Sequence, residues 1–169
     1  MKILTCSAIA LSLAAVSFAD IAQAQQATKL HFEGDMVRSA QQGAPGPFCV
    51  LTSQFKHKER VAWRVRLVDQ DGKNVDDKGV KNIFVVLPDG QKFEAFFRGH
   101  PPRPPQTDNF WSVAWIVPDN YPTGTFAYKV VATDLQGREH TWEPFKVASS
   151  QLTVLAGAVE IKSVDSKKK

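Results

Sequence analysis

Sulfur is scarce in this chain: two cysteines and two methionines among 169 residues. Cys6 falls in the first apolar stretch, so Cys49 stands alone in the part that reads as a folded domain. A single thiol forms no internal disulfide, and stability must come from a packed core. The closely spaced Cys, His and Met of a late blue-copper loop are missing, since Cys49 comes early and Met36 is the one methionine after the first residue. Also missing are a Gly-x-Ser-x-Gly elbow, a phosphate-binding glycine loop, a Cys-x-x-Cys pair and a His-Glu-x-x-His helix. Their absence sets aside the enzyme classes built on those motifs. No aspartate series has EF-hand spacing. Lys and Arg number 21 against 17 Asp and Glu, yet the excess is scattered and clusters only at Lys167, Lys168 and Lys169. Without a basic stripe interleaved with aromatics, nucleic acid is not expected as a partner.

One long apolar run does occur, over residues 3–19. It follows Lys2 and precedes Ala22-Gln23-Ala24, which is the layout of a secretory signal peptide cut after Ala24. A membrane anchor is the competing reading, but the run is short for a span, and Asp20 with the Gln-rich sequence after it suits cleavage better. The expected protein is periplasmic or secreted, with no membrane span once residues 1–24 are removed. Residues 25–46 read as a flexible segment carrying an edge strand at 30–37, residues 47–156 as one domain, and residues 157–169 as a charged tail.

The domain is patterned at period two. Val61, Trp63, Val65 and Leu67 alternate with Ala62, Arg64 and Arg66, which marks a strand with one buried face. Strands are also expected at 48–55, 82–87, 91–97, 111–117, 126–132, 141–147 and 151–155, the last two forming one strand or a broken pair. Pro88-Asp89-Gly90 joins two of them as a hairpin. About eight short strands and no amphipathic helix predict an all-β fold, an antiparallel β-sandwich of 7–9 strands.

Pro122-Thr123-Gly124 followed by Tyr128-x-Val130-x-Ala132-x-Asp134 resembles the penultimate strand of bacterial immunoglobulin-like and fibronectin type III-like domains. The resemblance covers residues 61–155. It implies an immunoglobulin-like sandwich with Trp63 as the core tryptophan and Tyr121 or Tyr128 as the corner tyrosine. The chain departs from antibody-type domains in lacking their paired cysteines.

The candidate site is the proline-rich stretch 98–109, RGHPPRPPQTDN. A loop of this length in a compact domain is functional or disordered. Its prolines supply no ladder donors and stiffen it, and its ends join apolar strands. Arg98, His100, Arg103 and Asp108 are the expected binding residues, with Trp111 at its close and Trp142 as a further aromatic. The competing reading makes Phe110 and Trp111 core residues. The function these features predict is a non-catalytic binding or accessory domain, cofactor-free, that docks an envelope or extracellular protein, or a polysaccharide. Two alternatives use the same residues. His100 and Asp108, with Cys49 or His140, would ligate a metal in a metal-binding protein or metal-dependent enzyme. Trp142 and Trp111 would stack sugars in a carbohydrate-binding module. Cys49, within the apolar run Phe48-Cys49-Val50-Leu51, is expected to be a small buried hydrophobe. Most aspartates sit beside Gly, Pro or Asn and are expected to make local turn hydrogen bonds.

Overall fold

A computed structural model describes residues 29–40 and 49–157. The expected signal peptide with its cleavage site, most of the linker ahead of Cys49, and the tail after Gly157 lie outside the described residues.

Eleven strands are present among the described residues: β1 His31–Arg38, β2 Val50–Leu51, β3 Gln54–Lys56, β4 Arg60–Val68, β5 Val80–Val86, β6 Lys92–His100, β7 Asp108–Ile116, β8 Gly124–Phe126, β9 Lys129–Asp134, β10 Glu139–Trp142 and β11 Leu152–Leu155. Eight form one sheet in the order β10-β9-β5-β6-β7-β4-β1-β2, and three form a second in the order β3-β11-β8. Every pairing is antiparallel except β3 with β11, which is parallel. The fold is therefore all-β and predominantly antiparallel, consistent with a β-sandwich.

The strands outnumber the expected eight because two of the expected strands break and the last pair, counted as one, stays separate as β10 and β11. The 48–55 run divides into β2 and β3, and the 126–132 run into β8 and β9. In both cases one piece joins the large sheet and the other the small one, so each break is a corner where the chain changes sheet. The expected 141–147 strand is earlier and shorter, ending at Trp142. Pro144 follows, and a single 3₁₀ turn at Ala148–Ser150 leads into β11. β1, expected at an edge, lies between β4 and β2 and pairs along its whole length with β4.

The alternation on β4 fixes which face is buried. Val61, Trp63, Val65 and Leu67 point into the core with Ile83, Val85, Ala95, Trp111, Trp115, Val130 and Ala132 from neighbouring strands. The small sheet closes over them with Phe55, Leu152 and Val154, each at most 1 % exposed. Full burial of aliphatic and aromatic side chains of this size stabilises by about 1.5–3 kcal/mol apiece before conformational entropy is counted.

The large sheet is strongly curled. β10 and β1 are six strand steps apart, which would be roughly 29 Å in a flat sheet. Yet the rings of Trp142 on β10 and Phe32 on β1 lie 6.5 Å apart and nearly parallel. Right-handed twist accumulated across the sheet brings its two ends together, and Trp142 spans the seam between them.

Candidate functional site

The proline-rich stretch is shorter as a loop than its sequence suggests. Arg98, Gly99 and His100 belong to β6, and Asp108 and Asn109 to β7. The turn proper is 101–107, exposed at every residue including Arg103. β6 and β7 continue past their other neighbours: β5 pairs with β6 only up to Ala95, and β4 with β7 only from Trp111 onward. The pairs Arg98–Phe110, Gly99–Asn109 and His100–Asp108 thus have no further strand beside them, forming a two-stranded arm.

Four contacts brace this arm. The Thr107 N–H donates to the His100 carbonyl at 2.8 Å and closes the turn. The Asn74 side-chain amide donates to the Asn109 carbonyl at 3.1 Å. The Trp111 indole N–H donates to the Val75 carbonyl at 3.0 Å. Arg66 donates to both carboxylate oxygens of Asp108, at 2.8 and 2.7 Å. The N–H of Asn109 and the Arg66 guanidinium, with His100 nearby, hold the Asp108 carboxyl below its usual range.

The outward face beside the arm is ionic and aromatic. On β4, Arg64 makes a bidentate pair with Asp35 of β1, while Arg66 joins Glu33 as well as Asp108. Phe110 lies between charge and imidazole: the Arg64 guanidinium is 5.8 Å from its ring centre, and the His100 ring 5.5 Å. Farther along β6, Arg98 sits 5.5 Å from the ring of Phe96, which is half exposed. Glu33, Asp35, Arg64, Arg66, Asp108 and Phe110 enclose a shallow groove of about 340 Å³. These ion pairs are half exposed, so each contributes at most about 1 kcal/mol to stability. Of them, Arg66–Asp108 is the pair that ties the arm to β4.

The expected site residues separate into three places. Arg98, His100, Arg103 and Asp108 come together on the arm. Trp111 does not join them: it is 4 % exposed, points into the core and packs on Phe97 at 5.5 Å. Successive residues of a strand face opposite ways, so Trp111 turns inward while Phe110 turns outward. Phe110, grouped with the core in the competing reading, is an outer-face residue. Trp142 lies on the inner face at the seam. Cys49 also corrects the sequence reading, being exposed with φ of 59°. Its apolar neighbours suggested burial, but Cys49 precedes β2, the edge strand whose Val50 and Leu51 are themselves exposed.

The alternative ligands Cys49 and His140 do not meet His100 and Asp108. His140 instead bonds Asp134 at 3.0 Å, and among the described residues no three His, Cys, Asp or Glu side chains are grouped to hold a metal. Local turn hydrogen bonding by aspartates is present at Asp69, Asp76, Asp89 and Asp134. Asp134 goes further. It is buried and also accepts from the N–H and Nε of Arg138 and from His140.

Arg64, Arg66, Glu33, Asp35 and Phe110 were not foreseen as site residues. The alternation of Arg64 and Arg66 on β4 carried a signal, but pairing them with β1 and β7 required the strand order.

No protein family, curated protein or solved structure matches this chain.

Proposed function

We propose that this chain is an exported, non-catalytic binding or accessory domain that docks a protein of the periplasm or extracellular space through the β6–β7 arm. The observation that carries the reading is the arm itself. A wholly exposed, proline-stiffened tip is carried on two strands that outrun the sheet and are fastened by contacts to Asn74, Val75 and Arg66. Binding residues concentrate on surface loops held by rigid frames, and a tip already held in place loses little entropy on docking. Among the described residues neither Arg98 nor Arg103 has a carboxylate partner, so the complementary surface is expected to be acidic and binding to weaken with salt. The immunoglobulin-like ancestry belongs to this proposal. It is supported by the buried Trp63 on β4 and by Tyr128 packed edge-on against it at 5.9 Å.

The test replaces His100 and Arg103 with alanine and places a photo-crosslinking residue at Arg103 in a parallel variant. The expected result is a melting temperature close to that of the parent, weakened capture of the native partner, and crosslinks from position 103. Normal binding with a melting temperature several degrees lower would show the arm to be structural and the site misplaced. Turnover of a substrate by the purified protein, abolished by one point substitution, would end the non-catalytic reading.

A further inference from the structure

A second site lies at the seam, next to the groove beside the arm and sharing Gly34 and Asp35 with it. There β10 approaches β1 and β2, and the connection from β10 to β11 passes beside them. The space between is an open groove of about 580 Å³, within the size range of small-ligand sites. Trp142, Tyr128 and Phe145 contribute aromatic walls, and Ser53, Gln54 and Ser150 contribute hydroxyl and amide groups. Phe145 is 83 % exposed, an unusual cost for a phenyl ring beside a concave surface.

Tyr128 supplies the independent observation. It is only 5 % exposed, it lines the groove, and among the described residues its hydroxyl makes no hydrogen bond. Burial, with the charge of Asp35, pushes its pKa up, so the hydroxyl keeps its proton and can donate. Its oxygen is not one of the fully buried, unpartnered side-chain atoms, so it opens to the groove. The side chains of Ser53, Gln54 and Ser150 likewise make no hydrogen bond among the described residues. The one carboxylate in the lining, Asp35, is already bidentate to Arg64. The groove therefore presents ring faces and neutral donors and acceptors, and no unpaired charge.

The geometry points to a neutral oligosaccharide as the ligand of this groove. A pyranose offers apolar C–H faces to Trp142 and Phe145, and hydroxyls to Tyr128, Gln54 and the serines. A hydrocarbon would bury those polar groups without partners, and an anion would meet no free cation here. This site does not depend on the arm.

Neutral tetrasaccharides of β-linked glucose, α-linked glucose and β-linked N-acetylglucosamine should be titrated against the chain, following tryptophan fluorescence and the Trp142 indole N–H by NMR. At least one should give a saturable shift of that indole signal. Tyr128→Phe should weaken it roughly fivefold, as expected for a lost neutral hydrogen bond. Phe145→Ala should weaken it at least as much without lowering the melting temperature, since that ring is already in water. The His100→Ala/Arg103→Ala protein should titrate like the parent. The inference is overturned if none of the three sugars shifts the indole, if the shift survives both Tyr128→Phe and Phe145→Ala, or if an extended apolar peptide shifts it and the sugars do not.

Discussion

Gly34 lies beneath the Trp142 indole so closely that a Cβ built on it would sit 3.0 Å from two ring carbons. The two residues belong to strands six steps apart in one sheet, and their contact is where the curl of the sheet is fixed. Gly34→Ala should push the indole outward and cost about 1–2 kcal/mol, in the range of modest overpacking. Near-ultraviolet circular dichroism and urea unfolding would register both effects. An unchanged spectrum and midpoint would mean that the seam has slack.

Trp111 separates stability from binding. Trp111→Phe keeps the ring in the core but leaves the Val75 carbonyl without its donor. The expected loss is about 1–3 kcal/mol, read from urea midpoints. Partner capture should weaken far less than in the His100→Ala/Arg103→Ala protein, because the side chain faces the core and only one brace of the arm is lost. Weakened capture at full stability would return Trp111 to the binding surface.

Asp134 makes stability depend on acid. Burial by itself would raise its pKa, but the hydrogen bonds from His140 and from the backbone and guanidinium of Arg138 together hold it well below the ordinary 3.8. A carboxyl lowered on folding adds stability that is complete above the unfolded value and is lost as pH falls through the folded one. Asp134→Asn should therefore unfold in less urea than the parent at pH 7, and the gap should close as the pH drops below about 4. A gap that stays constant down to about pH 2 would show that shape, not charge, is what Asp134 contributes.

Cys49 should react with a thiol reagent in the native protein. Its side chain is exposed, so a chain beginning at Gln25 should give one equivalent at a rate little changed by denaturant. Strong protection that disappears on unfolding would restore the buried role its apolar neighbours suggested.

The amino-acid sequence by itself determined the class of fold and part of the core. Period-two alternation is a local property of a strand, so Val61, Trp63, Val65 and Leu67 could be assigned to the buried face before any partner strand was known. The Asp89-Gly90 turn was equally local, and Gly90 takes the φ of 87° that such a turn needs. The arm residues Arg98, His100, Arg103 and Asp108 were found because proline excludes itself from central ladders. Other features depend on which strands become neighbours. The sheet change between β2 and β3 and the side of the sheet that Phe110 meets follow from which strands lie alongside, and the Arg66–Asp108 brace and the meeting of Gly34 with Trp142 join residues far apart in the chain. Only tertiary structure decided these, because register and curl are set by the packing of all eight strands together and by no segment alone.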